Sequence, residues 1–167
     1  MLVDQLYPDN VTASVYDLDW DALSEKYEGV IFDIDNTLVP HGAPADDRAV
    51  GLFRRLHALG MKTLLVSNNK EARVRAFAEP LKTEYVYKAG KPKRSGYRRA
   101  VKKLGMKPEC ILFIGDQVFT DVWGANRAGM ATILTDPVEP STDEIQIVVK
   151  RWFEKPFRRP KRKVRRT

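Results

Sequence analysis

Five short apolar runs alternate with longer amphipathic stretches along the chain. The runs are residues 29–34, 62–67, 84–88, 110–115 and 131–135, and they are rich in β-branched and aromatic residues. Runs of this length and composition predict strands. The stretches between them, residues 46–60, 69–81, 95–105 and 119–129, have the apolar spacing or the terminal Gly and Pro residues of helices. This alternation predicts an α/β fold in which a parallel sheet of about five strands has helices on both faces.

The length of the chain favours one domain. A chain of 167 residues can bury a single core. We expect the domain to occupy residues 1–154, with an acidic lead-in that holds a short helix near residues 19–27 and a last helix near residues 141–153. Residues 155–167 contain two Pro and few apolar side chains, and we expect them to form a disordered basic tail.

Positive charge is concentrated in two stretches. The net charge is +7, and residues 151–167 alone contain nine Lys or Arg and one Glu. A second stretch, residues 85–107, contains nine Lys or Arg and no acidic residue. Either stretch could bind an anionic membrane surface or the phosphates of RNA, or could be a solvated surface. These alternatives stay open at the level of composition.

Several features favour a cytoplasmic protein. No apolar run approaches the roughly 20 residues of a transmembrane helix. The first ten residues lack the basic and apolar regions of a signal peptide. The single Cys110 cannot form an internal disulfide, which fits a reducing compartment. We therefore expect a cytoplasmic location, with peripheral attachment at the inner face of the membrane as the alternative.

Two carboxylates at the end of the first predicted strand are the strongest chemical signal. Asp33 and Asp35 follow "VIF" in the stretch "VIFDIDNTLVPHG", and alternate residues of a strand point to one side. Adjacent carboxylates repel each other unless positive charge lies nearby, and a divalent cation with oxygen ligands is the simplest partner. A second Asp-x-Asp, at Asp17 and Asp19, lacks the apolar run and the following Thr. We expect Asp19 or Asp21 to cap a helix instead.

Polar residues also follow three other predicted strands. They are Ser67, Asn68, Lys91, Lys93, Asp116 and Asp121. A hydroxyl and free backbone N–H groups at a helix start are typical of a phosphate site, and a Lys would balance the charge of carboxylates and phosphate. Each group also has an ordinary interpretation as a cap, a turn or a solvated loop. Because parallel strands end at one edge of the sheet, we expect these residues to meet there.

In this order the elements resemble the phosphatases of the haloacid dehalogenase superfamily. The matching motifs are "DIDNT" (33–37), Ser67, Lys91 in "GKP" and "GDQVFTD" (115–121), within a motif core at residues 30–134. The lead-in "LYPDNVTASVYDLDWDAL" before "VIFDIDNTLVP" is similar to the YqeG family of the IIIA subgroup. That family in turn resembles the mitochondrial phosphatidylglycerophosphate phosphatases. The resemblance implies a three-layer, Rossmann-like fold.

The resemblance also implies a role for each motif residue. Asp33 would attack phosphorus and become an aspartyl-phosphate, and Asp35 would act as general acid and then as general base. The implied phosphate-binding residues are Thr37, which would also steady the loop, Ser67, Asn68 and Lys91, with Lys93 as the substitute for Lys91. The implied ligands of Mg²⁺ are the Asp33 carboxylate, the Asp35 main-chain carbonyl, Asp116 and Asp121.

Two rival phosphatase chemistries do not fit the sequence. A cysteine phosphatase needs an Arg six residues after its Cys, and that position after Cys110 is Asp116. We therefore expect Cys110 to be a core residue. The chain has two histidines, too few for a histidine-rich metal site. We expect His57 to lie on a surface or in packing, whereas His41 is a candidate for the pocket lining.

Short intervals between the motifs predict that no cap domain covers the site. Thr37 to Ser67 leaves room for a loop and one helix, and Ser67 to Lys91 for one helix and one strand. An open site admits a phosphate carried by a large molecule. We expect a Mg²⁺-dependent phosphomonoesterase, with phosphatidylglycerophosphate as the substrate implied by the resemblance. The alternatives are a phosphatase of a soluble ester, nucleotide or phosphoprotein, and an RNA- or ribosome-associated protein with vestigial catalysis.

Overall fold

The computed structural model describes residues 2–161, and a parallel sheet of six strands lies at its centre. The strands are β1 (Asn10–Thr12), β2 (Gly29–Phe32), β3 (Lys62–Val66), β4 (Glu84–Val86), β5 (Ile111–Gly115) and β6 (Ala131–Thr135). Their order across the sheet is β1-β6-β5-β2-β3-β4, and all neighbours are parallel. The predicted α/β fold is confirmed, with one strand more than expected.

Six α-helices surround this sheet in the described residues. They are α1 (Trp20–Lys26), α2 (Asp47–Ala58), α3 (Glu71–Leu81), α4 (Arg94–Leu104), α5 (Trp123–Arg127) and α6 (Ile145–Glu154). Asp19 caps α1 by accepting a hydrogen bond from the Ala22 N–H at 3.1 Å, as the sequence predicted. A π-helical turn, Val118–Val122, leads from β5 into α5. None of the described helices combines the length and the apolar character that a bilayer-spanning segment requires.

The core consists of one apolar layer on each face of the sheet. Strand β2 shows the reason, because Val30 and Phe32 enter one layer while Ile31 between them enters the other. The first layer includes Phe53 of α2, and the second includes Tyr97 of α4. A strand that is apolar at every position is therefore buried on both sides, as is usual in parallel sheets.

The two ends of the chain differ from the prediction. The expected lead-in contributes edge strand β1, a segment of three half-exposed or exposed residues whose pattern gives no strand signal. Residues 155–161 do not form the expected disordered tail. Lys155–Phe157 form a 3₁₀ turn, and Arg158 donates to the main-chain oxygen of Asp116 at 2.9 Å. The remainder of the predicted tail, residues 162–167, lies outside the described residues.

Two local details differ from the sequence pattern. Pro80, the Pro near the end of the stretch 69–81, lies inside α3, because the helix continues to Leu81 and is followed by Lys82 in the left-handed conformation. Cys110 is half-buried at the end of a 3₁₀ turn, just before β5 begins, and is not a core residue.

The carboxyl ends of β2, β3, β4 and β5 lie along one edge of the sheet. The chain leaves β2 for β3 on one side and returns to β5 on its other side. In open α/β sheets, ligand-binding sites lie at the carboxyl ends of the strands, at the point where the strand order reverses in this way. The intervals between the motifs hold α2 with β3 and α3 with β4, so no cap domain lies within residues 37–91.

Gly115 closes β5 for a steric reason that the sequence did not reveal. A Cβ built on Gly115 would overlap the side chain of Asp121. The absence of a side chain therefore lets Asp121 pack against the end of β5.

We predict that Gly115→Ala displaces the Asp121 carboxylate and lowers the free energy of unfolding by about 1–3 kcal/mol. The matched control is Gly51→Ala, because a Cβ on Gly51 of α2 meets nothing within 4 Å. That control should raise the free energy of unfolding by roughly 0.5–1 kcal/mol. Denaturant unfolding of both variants makes the comparison, and equal stability of the two would contradict the steric argument.

Candidate active site

The residue that follows β2 is Asp33, and its position is fixed through both backbone and side chain. The Asp33 N–H donates to the Ile114 carbonyl at 3.0 Å, which extends the pairing of β2 with β5. One carboxylate oxygen lies 2.7 Å from the Lys91 ammonium. The Thr37 hydroxyl lies 3.3 Å from the other oxygen and 3.1 Å from an oxygen of Asp116. Thr37 is buried and serves to position these carboxylates.

Lys91 bridges two carboxylates from different loops. Its ammonium lies 2.7 Å from Asp33 and 2.6 Å from Asp121, and its side chain is only 5% exposed. Burial alone would lower the pKa of Lys91, but Asp121 and Asp33 outweigh burial and hold that pKa well above its ordinary value. Lys91 is therefore a permanent cation. Lys93, the alternative from the sequence, is exposed at the start of α4.

Three buried carboxylates form a compact group of oxygen donors. One oxygen from each of Asp33, Asp116 and Asp121 lies within 4.8 Å of the others. Burial raises the pKa of Asp33 well above its ordinary value, and Asp121 and Asp116 add to this effect while Lys91 opposes it. Burial and Asp121 likewise raise the pKa of Asp116, against the opposing effect of Arg151.

The balance of charge around this group fits a divalent cation. The cations paired with it are Lys91 and Arg151, and the carboxylates that they contact are Asp33, Asp116, Asp121 and Asp143. With every carboxylate ionised, two negative charges are left over. Because the donors are carboxylate oxygens, they suit a hard cation such as Mg²⁺.

Asp35 faces the same pocket in a different environment. Its carboxylate accepts hydrogen bonds from the Gly42 N–H at 2.8 Å, the Asn69 amide at 2.7 Å and the Arg73 guanidinium at 3.1 Å. Burial would raise the pKa of Asp35, but the Gly42 hydrogen bond and the Arg73 cation prevail and hold the pKa below its ordinary value. Asp35 is thus a carboxylate in this state of the protein.

The loop after β3 forms a tight turn that is held by its own hydrogen bonds. The Ser67 oxygen accepts hydrogen bonds from the Asn69 N–H at 3.1 Å and from its side-chain amide at 3.0 Å. The Asn68 side chain accepts from the Lys91 N–H at 2.8 Å and so ties this loop to the loop that carries Lys91. Helix α3 begins at Glu71, close behind the turn.

A pocket of about 210 Å³ brings most of the predicted residues together. Its lining includes Asp33, Asp35, Ser67, Asn68, Lys91 and His41. Thr37, Asp116 and Asp121 are not part of this lining, and Asp116 is 0% exposed. The pocket therefore presents the nucleophile candidate at its surface, while two candidate metal ligands lie behind it. His57 lies elsewhere and contacts Thr63 at 2.8 Å.

The C-terminal segment, residues 139–158, covers one side of the pocket, which the sequence did not predict. Asp143, Ile147 and Lys150 line the pocket. No cap domain is inserted within residues 37–91, but the site is less open than an uncovered sheet edge would be. Helix α6 therefore encloses part of the pocket.

Two residues attach this segment to the loops that carry Asp33 and Asp116. Asn36, which has a positive φ of 59°, donates to Asp143 at 2.6 Å. Arg151 lies 2.5 Å from an oxygen of Asp116 and 2.5 Å from an oxygen of Asp143. One amide hydrogen bond and two hydrogen-bonded ion pairs thus join these loops to the C-terminal segment.

A family model named haloacid dehalogenase-like hydrolase matches residues 42–129, just over half of the chain. The chain belongs to this family of hydrolases. Asp33 and Asp35 precede the matched region, so their assignment depends on the motif and the geometry.

Sequence relatives place the chain beside phosphatases. It is 41% identical over 143 residues to the "Probable phosphatase YqeG" of Bacillus subtilis, which covers 84% of this chain and 83% of the relative. It is 26% identical over 158 residues to "Phosphatidylglycerophosphate phosphatase 1, chloroplastic/mitochondrial" of Arabidopsis thaliana, covering 83% of this chain and 45% of the relative. The chain therefore spans less than half the length of that plant protein. The predicted type, a haloacid dehalogenase-type phosphatase, is confirmed at the level of the family and its named relatives.

A solved structure supports the fold. The cobalt-bound deoxy-D-mannose-octulosonate 8-phosphate phosphatase of Haemophilus influenzae aligns with a TM-score of 0.55 at 16% identity. The alignment covers 68% of this chain and 70% of that one. At this identity the likeness concerns the fold alone.

We predict that Arg151→Gln destabilises the metal-free protein and strengthens Mg²⁺ binding. Loss of the guanidinium leaves Asp116 buried without its cation, which should lower the free energy of unfolding in chelator by about 3 kcal/mol. The same change adds one uncompensated negative charge beside the carboxylate group. Isothermal titration with Mg²⁺ and unfolding with and without chelator measure the two effects.

The control for this prediction is Lys155→Gln, which removes one positive charge from the exposed end of α6. This substitution should change neither the free energy of unfolding nor the affinity for Mg²⁺. Weaker Mg²⁺ binding by Arg151→Gln would contradict the prediction and would indicate that Arg151 supports the metal ligands.

Proposed function

We propose that this hydrolase is a Mg²⁺-dependent phosphomonoesterase that acts through an aspartyl-phosphate on Asp33. The observation that carries the proposal is the placement of Asp33. Its carboxylate borders the pocket, Lys91 lies 2.7 Å away, and Asp116 and Asp121 offer oxygens directly behind it. Lys91, together with a divalent cation held by these carboxylates, would supply the positive charge that lets an anionic nucleophile approach an anionic phosphate.

The proposed reaction has two steps. A carboxylate oxygen of Asp33 attacks phosphorus, the P–O bond to the substrate breaks, and the leaving oxygen takes a proton from Asp35. Asp35 then accepts a proton from water as the water oxygen attacks phosphorus, and the bond between phosphorus and the Asp33 oxygen breaks. This second step releases inorganic phosphate and restores the Asp33 carboxylate and the protonated Asp35.

A divalent cation would be held by Asp33, Asp116, Asp121 and the main-chain carbonyl of Asp35. When bound, it supplies positive charge that screens the nucleophile from the phosphate. The Ser67 hydroxyl, the Asn68 N–H and Lys91 are the proposed phosphate contacts.

Asp35 must gain a proton before it can act as the acid. Its ionised state is stabilised by Gly42, Asn69 and Arg73. A phosphate dianion in the pocket would oppose this stabilisation, because a nearby negative charge raises the pKa of a carboxyl. We infer that the negative charge of the bound substrate raises the pKa of Asp35 until this carboxyl takes up a proton. Before the substrate binds, Arg73 keeps Asp35 ionised.

The proposed substrate is phosphatidylglycerophosphate. Its support is the similarity to a plant phosphatase named for it, at 26% identity, together with the absence of an inserted cap domain within residues 37–91. A soluble phosphate ester is the alternative. An RNA-associated protein with vestigial catalysis is disfavoured by the hydrogen-bonded arrangement of Asp33, Lys91 and Asp121. The proposed location is the cytoplasm, at the inner face of the membrane.

We predict that Asp33→Asn lowers Mg²⁺-dependent hydrolysis of an aryl phosphate by about a thousandfold or more, because the amide is a poor nucleophile. Phosphate release and circular dichroism would be measured together. Asp19→Asn is the matched control, since it changes the Asp-x-Asp that caps α1 and Asn caps equally well. Retained activity in Asp33→Asn would refute the assignment of the nucleophile.

The substrate is tested by a phosphate-release screen. Phosphatidylglycerophosphate in mixed micelles would be compared with sugar phosphates, nucleotides and a phosphopeptide at matched phosphate concentration. The highest kcat/KM is expected for the lipid. A higher value for any soluble ester would replace the proposed substrate and leave the proposed chemistry intact.

We predict that Arg73→Gln moves the high-pH limb of kcat to higher pH, because kcat reports the pKa values of the enzyme–substrate complex, in which Asp35 would act as the acid. Arg73 lowers the pKa of Asp35, so removal of the guanidinium raises that pKa and keeps the acid protonated at higher pH. An alkyl phosphate is the right substrate, since its leaving group needs the proton. Arg75→Gln, an exposed position on the same helix, is the control. An unmoved limb, or one displaced to lower pH, would contradict the role of Asp35.

A further inference from the structure

The outer face of α6 exposes an unusual number of apolar side chains. Five of the nine large apolar side chains that are exposed in the described residues belong to this helix: Ile145, Val148, Val149, Trp152 and Phe153. Ile145 is 83% exposed and Trp152 is 64% exposed. Their spacing places them along one side of the helix. We call this set the α6 outer face.

The opposite side of α6 is held firmly against the protein. Ile147 and Lys150 line the pocket, and Arg151 pairs with Asp116. The buried Glu154 accepts a hydrogen bond from the Phe119 N–H at 2.9 Å. These contacts fix the rotation of the helix about its axis. The outer face is therefore presented to the surroundings on a helix that is anchored to the rest of the protein.

We propose that the α6 outer face is a docking surface for an anionic lipid bilayer. The helix would lie in the plane of the interface with its apolar side chains inserted below the headgroups. Trp152 and Phe153, whose rings are in edge contact at 5.0 Å, would sit at the boundary between headgroups and acyl chains. The pocket would then lie close to the membrane surface, roughly 10 Å (one helix diameter) from the inserted side chains, because Ile147 and Lys150 line it from the opposite side of the same helix.

The charge around the face matches an anionic surface. Lys155 and Arg159 are exposed just beyond the helix, and residues 151–167 contain nine Lys or Arg with one Glu. Basic residues close to an anionic membrane contribute about 1 kcal/mol each. An apolar helix face next to a basic segment is the combination that binds such interfaces.

The same features disfavour other occupants. A second copy of the chain would bring two strongly positive segments together. The helix has 10 residues and is about 15 Å long, too short to supply the roughly 800 Å² that each partner of a stable interface buries. RNA would satisfy the charge but would leave the branched side chains of Ile145, Val148 and Val149 without an apolar partner.

This inference rests on the proposed function, because it brings the pocket close to a bilayer that would hold a lipid substrate. The docking itself does not require catalysis. The test uses the full chain and two vesicle compositions, phosphatidylcholine alone and phosphatidylcholine with phosphatidylglycerol. Co-sedimentation measures binding, and the fluorescence of Trp152 reports insertion. A Trp152→Phe variant supplies the baseline from Trp20 and Trp123.

Val148→Glu with Val149→Glu is the docking variant, because both side chains are exposed and neither lines the pocket. We expect the unaltered protein to bind the anionic vesicles with a blue shift of Trp152 emission. The docking variant should bind at least about tenfold more weakly. Val11→Glu, at an exposed position on β1, is the control and should bind normally.

Three outcomes would overturn the proposal: no binding of the unaltered protein to anionic vesicles, equal binding by the docking variant, or a loss of self-association or of RNA binding in that variant with vesicle binding unchanged. Hydrolysis of an aryl phosphate is measured on the same preparations. If vesicle binding behaves as expected while hydrolysis is absent, the proposed function fails and the docking surface stands. If hydrolysis persists while vesicle binding is absent, the proposed docking surface fails and the proposed function stands.

Discussion

Mutual repulsion among buried carboxylates is the constraint that the site must meet. Asp33, Asp116 and Asp121 place oxygens within 4.8 Å of one another at the end of a buried sheet. Such a group would drive its members apart or into the protonated state without compensating charge. Lys91 from the loop after β4 and Arg151 from α6 supply two of the required positive charges. The loops around the sheet edge therefore depend on one another, since each brings a charge that another loop needs.

The sequence predicted the part of the site that depends on strand ends. Asp33, Ser67, Lys91 and Asp116 each follow an apolar run, and parallel strands end at a common edge, so local pattern and topology together place them near one another. The helices between the strands were also predicted, because the spacing of apolar residues along a helix is a local property of the sequence. Edge strand β1 was missed, since three residues give too short a pattern for recognition.

Other parts of the site depend on contacts that no local pattern encodes. The residues in question are Arg73, Asp143, Lys150 and Arg151, together with Asn36 as the attachment point. Arg151 is 35 residues from Asp116 and reaches it because one side of α6 docks on the sheet edge. The helix itself was predicted, but its most apolar side faces outward and the side with Lys150 and Arg151 faces inward. The usual rule that the apolar side of a helix is buried therefore does not show which side docks on the sheet edge.

The attachment of α6 to the loop that carries Asp33 has a consequence for biosynthesis. Ribosomes make proteins from the N-terminus, and the early parts of a chain can fold before the late parts exist. Asp143 is made 107 residues after its partner Asn36, and Arg151 is made 35 residues after its partner Asp116. The carboxylates at the sheet edge therefore lack the Arg151 cation until α6 has been made. A nascent chain without α6 does not yet have a complete site.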